Sequence, residues 1–137
     1  MPIETIMTQV AVIQATIAGV KIAYDNPPHN LNVFPCFVNF MGPAEVNYTP
    51  SRRETKHTIK MQLYVSKQIL PEAEKVLRPF IDLTLDKFGQ NLQLNASCAY
   101  SMVRSYEPGV LTYGNTQYIG ISFDLLAVEH ESISFNV

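Results

Sequence analysis

Three histidines and two cysteines are the side chains in this sequence with the highest affinity for transition metals. His29, His57 and His130 fit no ligand spacing, and Cys36 and Cys98 do not form a C-x-x-C pair. A metal site could therefore arise only if the fold assembled it, and we predict that the chain has none.

Nucleophilic catalysis needs a Ser, Cys or Thr beside a base that a third group orients. The sequence has no G-x-S-x-G motif. Cys36 lies in an apolar run, where burial raises the pKa of a thiol and makes it unreactive. Because no signal directs the two cysteines to an oxidising compartment, we interpret both as buried free thiols.

Two local carboxylate pairs could carry acid–base chemistry, Glu72 with Glu74 and Asp82 with Asp86. The first pair suits a helix start, where acidic groups complement the helix dipole, and the second suits a solvated helix face. The six glycines are scattered and none opens a helix, so no phosphate-binding loop is indicated. We therefore predict no catalytic residue, no enzyme activity and no cofactor.

One charge cluster stands out on a sparsely charged chain. Without its histidine it carries four positive charges and one negative charge, on Arg52, Arg53, Glu54, Lys56, His57 and Lys60. Three interpretations stay open: a solvated strand end that discourages edge pairing, a salt-bridge patch between subunits, or a surface facing DNA phosphates. Tyr48 and Tyr64 are the only nearby aromatic residues, so a stacking groove for single strands is poorly supported.

The elements that must position these residues follow from a switch in hydrophobic period. Residues 55–65 alternate, with Ile59, Met61, Leu63 and Val65 on one face, which predicts a strand. Residues 71–88 have helical spacing, which predicts one helix despite Pro79 inside it. A one-sided strand followed by a one-sided helix indicates a sheet with a helix packed on its apolar face.

The remaining elements are weaker. An amphipathic helix is predicted over residues 3–18, ending at Gly19, and strands are predicted over 20–24, 33–41, 92–106, 110–113 and 116–128. Residues 44–54 are polar and are predicted as a long connecting loop.

These elements predict a single α+β domain over residues 1–128, followed by a C-terminal tail, 129–137. The predicted order is α-β-β-β-α-β-β-β, with a mostly antiparallel or mixed sheet and two amphipathic helices packed on one face.

Composition limits the classes of partner. The chain has 137 residues, enough for one domain, and 16% of them are charged, against about 25% in an ordinary soluble domain. We interpret the low share of charged residues as a sign that part of the surface contacts partners, with a merely neutral surface as the alternative.

The net charge of −2 does not indicate the basic surface that binding to nucleic acid generally needs. No apolar run suits a membrane span and no secretory signal is evident, so we expect no membrane partner and a cytoplasmic location.

Several motifs along the chain carry a family resemblance. The first helix ends in Ile17-Ala18-Gly19-Val20, followed by Ala23-Tyr24 and the break Asn26-Pro27-Pro28; later segments are Phe34-Pro35-Cys36-Phe37-Val38, Leu63-Tyr64-Val65, the Glu72–Phe88 helix, Val110-Leu111-Thr112-Tyr113-Gly114 and Tyr118-Ile119-Gly120-Ile121-Ser122-Phe123. From about Ile3 to Val128, the sequence resembles the tail terminator (tail completion, lambda-type minor tail) proteins of long-tailed bacteriophages and prophages.

The resemblance implies an α+β subunit of a hexameric ring, with no catalytic residues to carry over. Such a ring caps the completed tail tube, ends its polymerisation and provides the surface for head joining. The implied partners are further copies of the chain, the major tail tube protein and the head–tail connector protein, with passing contact with genomic DNA in the channel. The implied location is the host cytoplasm during assembly and then the virion tail.

We predict two surfaces for subunit contacts or for the channel. The first is the basic strand end and the loop before it: Tyr48, Arg52, Arg53, Lys56 and Lys60. The second is the C-terminal tail, whose apolar residues could pair with a neighbour's sheet edge: Ile133, Phe135 and Val137. A head–tail connector or neck protein is the first alternative, a small ligand-binding α+β domain the second, and a DNA-binding module the third.

Overall fold

The computed structural model describes residues 3–66 and 73–132, in which two helices pack on a five-stranded sheet. The α+β fold class and the helices on one face are confirmed. The elements in chain order are α1 (Ile3–Gln14), β1 (Ile22–Tyr24), β2 (Cys36–Thr49), β3 (Arg52–Ser66), α2 (Ala73–Gly89), β4 (Tyr100–Tyr113) and β5 (Thr116–Ser132).

The sheet is mixed and has the order β1-β2-β3-β5-β4. The short β1 runs parallel to β2, and the other neighbours are antiparallel. β3 and β5 therefore each have a long strand on both sides. They pair with each other from Arg52 opposite Ser132 to Ser66 opposite Ile119.

The main core lies between the sheet and the two helices, on what we call the helix-side face. The alternating residues of β3 predicted to be buried are all in it, together with their neighbours on β5 and the apolar stripes of both helices. Its most buried members include Ile6, Val10, Ile59, Met61, Leu63, Phe88, Ile121, Phe123 and Leu125. The residues that alternate along β3 and those that recur at helical spacing along the two helices therefore pack in the same core.

A second, smaller core lies on the other face of the sheet, which we call the loop-side face. Leu31 and Phe34, from the segment between β1 and β2, pack there against Tyr64 and Tyr118. Tyr64 was predicted on a polar face but is fully buried, because this segment covers it. The hydroxyl of Tyr113 donates a hydrogen bond to the carbonyl oxygen of Pro28 and fastens the same segment.

The predicted loop at residues 44–54 is wrong. These residues form the outer part of a hairpin in which β2 and β3 pair as far as Thr49 and Arg52. At Gly42-Pro43 the pairing of β2 with β3 shifts register, between Met41 and Ala44, and it then continues to the end of the hairpin.

The two strands predicted over residues 92–106 and 110–113 are also corrected. Residues 92–99 form turns, and Leu94, Asn95 and Ala96 have φ values of 48°, 57° and 65°, which no strand accommodates. The turn predicted at Glu107-Pro108-Gly109 lies inside the single strand β4, which tolerates proline because it is an edge strand. The order is therefore α-β-β-β-α-β-β.

Smaller differences concern the ends of elements. α1 ends at Gln14 and continues as turns to Gly19, whose φ of +89° is the left-handed value expected of a helix stop. α2 is one helix through Pro79, as predicted. Residues 129–132 of the predicted tail belong to β5, whereas Ile133, Phe135 and Val137 lie outside the described residues.

Candidate assembly surface

Three strands continue beyond Ile59 of β3 as a ribbon, which we call the distal ribbon: Ala44–Thr49 of β2, Arg52–Thr58 of β3 and Leu126–Ser132 of β5. Within it, Ala127 still packs in the main core. Register positions fix its faces, because directly opposite residues of antiparallel strands point to the same side. Tyr48, Arg53 and Glu131 lie side by side on the helix-side face. Thr49, Arg52 and Ser132 lie side by side on the loop-side face.

The positive charges predicted to form a basic patch are mostly paired within the chain. Arg53 forms an ion pair with Glu131, and the Lys56 and Lys60 ammonium groups lie 3.8 Å from Glu54 and Asp124, respectively. Exposed pairs of this kind add little stability, on the order of 0–1 kcal/mol each, but they balance the local charge. The structure thus places Tyr48, Arg52, Arg53 and Lys56 on a nearly neutral ribbon, and Lys60 lies just beyond it on β3.

Two histidines join this arrangement across the β3–β5 ladder. His57 Nε2 lies 3.5 Å from Glu129 Oε2 on the helix-side face, and His130 Nε2 lies 3.7 Å from Glu54 Oε2 on the loop-side face. The register that pairs β3 with β5 therefore sets a carboxylate opposite or diagonal to each imidazole. Within residues 3–66 and 73–132, these groups do not gather into a cluster of three or more metal ligands.

Glu131 has a perturbed acidity. A side-chain hydrogen bond with Glu129 and then the positive charge of Arg53 lower the pKa of Glu131 below its ordinary value of 4.5. Its carboxylate therefore stays ionised and keeps its ion pair with Arg53 under mildly acidic conditions.

The hairpin tip carries one cation that the chain does not balance. Arg52 is exposed and forms no ion pair with any residue in the described parts of the chain. Tyr48 lies close by at the end of β2 with 65% of its surface exposed. Of the predicted site residues within the structure, Tyr48, Arg52 and Lys60 are exposed, whereas Arg53 and Lys56 are half-buried.

An exposed apolar strip follows the free edge of β2 toward this tip. Met41, Val46 and Tyr48 share the helix-side face and expose 69%, 45% and 65% of their surface. Neither helix covers them, since the main core ends at Ile59 on β3. Met41 was predicted in a strand over residues 33–41 and Val46 in a loop over residues 44–54, and neither was predicted as a site residue.

A cleft opens where the apolar strip meets the start of α1. It has a volume of about 350 Å³, and apolar side chains form most of its wall. Met41 belongs both to the strip and to this cleft. The residues that line it are Ile3, Glu4, Met7, Asp25, Asn26, Pro27, Asn39 and Met41.

Both thiols are free, and burial raises the pKa of each to about 11. For Cys98, the negative charge of Glu129 adds to the effect of burial. At neutral pH such thiols are protonated and weakly nucleophilic, which agrees with the interpretation of Cys36 as a structural thiol. Cys98 lies in the turns before β4 and is only half-buried, not in the predicted strand.

Neither helix within the described residues is long and apolar enough to cross a membrane. Comparison of the sequence with protein-family models and with curated proteins finds no match. The resemblance to tail terminator proteins therefore stays a prediction.

Proposed function

We propose that this protein is a structural subunit that assembles with further copies into a ring, of six subunits by the resemblance, on the end of a phage tail tube. The ring ends polymerisation of the major tail tube protein and provides the surface to which the head–tail connector attaches. Assembly takes place in the host cytoplasm, and the ring then remains in the virion tail. The sequence motifs support the family, and the distal ribbon supports a function based on protein contacts.

The observation that carries this proposal is the uncovered apolar strip of Met41, Val46 and Tyr48. Contiguous apolar side chains on an otherwise polar surface mark sites of protein contact. The charges beside the strip are largely balanced within the chain, so a partner meets a surface with little net charge. That property suits protein–protein packing better than a non-specific contact with DNA phosphates.

The role of ending the tube is tested by assembling tails without the protein. Electron microscopy of such tails is expected to show overlong tubes that do not join heads, and addition of the purified protein is expected to restore normal length. Tubes of normal length that lack heads would instead identify a connector or neck protein.

The assembly state is tested separately by mass measurement in solution, with and without isolated tail tubes. A mass of six chains, free or on the tube, is expected. A chain that stays monomeric under both conditions would contradict the proposal.

A further inference from the structure

We propose that the hairpin tip of one copy, from Tyr48 to Arg52, docks into the cleft at the start of α1 of the next copy. This inference rests on the proposed ring and names the contact that closes it. It requires two separate surfaces on each chain, one that inserts and one that receives.

The receiving surface combines an apolar wall with two carboxylates. Ile3, Met7 and Met41 give the cleft its apolar character, and its volume of about 350 Å³ is large enough for an aromatic side chain. Glu4 and Asp25 line the same cleft and are exposed. Neither forms an ion pair within the described parts of the chain.

The inserting surface has the complementary composition. Tyr48 offers a large, exposed aromatic ring, and Arg52 offers a guanidinium group without a carboxylate partner in the described residues. Tyrosine and arginine are the residue types that most often dominate protein interfaces, as an anchor in a pocket and as a donor to carboxylates. The tip therefore presents an aromatic ring from its helix-side face and a positive charge from its loop-side face, and these match the apolar wall and the two carboxylates of the cleft.

Strand geometry excludes docking of the tip into the cleft of its own chain. Met41 lines the cleft and Tyr48 is near the tip, and both belong to β2. Six residues of strand lie between them, which sets them about 20 Å apart. The tip must therefore reach a second copy.

The two surfaces do not overlap, so the contact is heterologous. Each copy gives its tip to one neighbour and receives the tip of the other. Repetition of such a contact closes into a ring when the rotation between copies is suitable.

Charge exchange tests the contact. Arg52→Glu is expected to weaken self-association roughly tenfold or more, measured by sedimentation over a range of concentrations with and without tail tubes. Combining Arg52→Glu with Glu4→Arg and Asp25→Arg is expected to restore most of it. Arg104→Glu, at an exposed arginine on β4 away from both surfaces, is the matched control and is expected to have little effect.

Disulfide trapping tests the same contact without relying on affinity. Purified Tyr48→Cys and Pro27→Cys variants are mixed and oxidised, and a covalent dimer is expected from the mixture in much greater yield than from either variant alone. Both positions are exposed, so neither change is expected to disturb folding.

The outcomes separate this inference from the proposed function. Intact rings that are insensitive to Arg52→Glu and give no mixed disulfide would overturn the docking and leave the ring. A dimer of two chains with the mixed disulfide would support the docking and overturn the ring. A chain that stays monomeric even on tail tubes would overturn both.

Discussion

Gln14 and Asn39 face each other between α1 and β2, and each side-chain amide donates a hydrogen bond of 2.7 Å to the other's oxygen. Both residues are fully buried, and Asn39 also donates to the carbonyl oxygen of Tyr24 on β1. These hydrogen bonds join a helix and two strands inside an apolar core. A buried amide without a partner there would lower the stability of the fold.

Replacing one member of this pair should destabilise the fold. We expect Asn39→Leu to lower the free energy of unfolding by about 1–3 kcal/mol, because the amide of Gln14 loses its partner while buried. Urea denaturation measures the loss, and Asn47→Leu, at an exposed position of the same strand, is the control. Adding Gln14→Leu to Asn39→Leu is expected to recover part of the loss; a double variant as unstable as the sum of both single changes would contradict this account.

Gly120 should not tolerate a side chain. A Cβ at this position would lie 2.1 Å from the backbone oxygen of Leu63 on the neighbouring strand. We expect Gly120→Ala to destabilise the protein by about 1–3 kcal/mol or more, because the β3–β5 ladder must shift to make room. Gly89→Ala is the matched control, since nothing lies within 4 Å of a Cβ there. Thermal unfolding of both variants decides the matter: similar melting temperatures would be inconsistent with the close approach.

Alkaline conditions should destabilise the protein in part through the thiol of Cys36. The pKa of Cys36 is raised from 9.0 to about 11 in the folded chain, so its contribution to stability is complete below pH 9 and is lost as the pH rises through 11. The loss is on the order of 3 kcal/mol at 1.36 kcal/mol for each pKa unit. We expect Cys36→Ala to flatten the dependence of unfolding free energy on pH between 9 and 11. If the unfolding free energy of the variant depended on pH as strongly as that of the wild type, the pKa of Cys36 would not be raised by folding.

Acidic conditions should remove the contribution of Glu131 to the stability of the fold. Its pKa is lowered below 4.5 in the folded chain, so its contribution is present above pH 4.5 and is lost as the pH falls through the folded value. We expect Glu131→Gln to reduce the loss of stability on acidification, measured by urea denaturation at a series of pH values. Glu107→Gln, at an exposed glutamate on β4, is the control and should keep the wild-type slope.

The parts of the fold that could be predicted from the sequence are the elements whose apolar residues follow a single strand or helix period. Ile59 to Val65 alternate because one side of β3 is buried under the helices, and the stripe of α2 continues in phase across Pro79. Tyr64 lies on the predicted face, opposite Ile59 and Leu63, but that face was predicted to be polar; Tyr64 is buried because a segment some 30 residues earlier, around Leu31, covers it. Local periodicity contains no information about such long-range contacts.

The geometry of the candidate assembly surface could not be predicted from the sequence. Arg52 and Arg53 are adjacent in sequence, yet strand alternation sends them to opposite faces, and β5 supplies a partner only to Arg53. That partner, Glu131, is nearly 80 residues away and depends on the β3–β5 register. The cleft depends on where α1 begins relative to Met41, which no motif in the sequence specifies.

The long pairing of β3 with β5 also determines how the protein resists a mechanical force. The ladder's hydrogen bonds run perpendicular to the strands, so a pull on the hairpin tip along the strand axis loads them together in shear. Separation would then require many bonds to break at once, not one after another as in unzipping. A force transmitted through the tip along the strands would therefore act in the direction in which this ladder is hardest to separate.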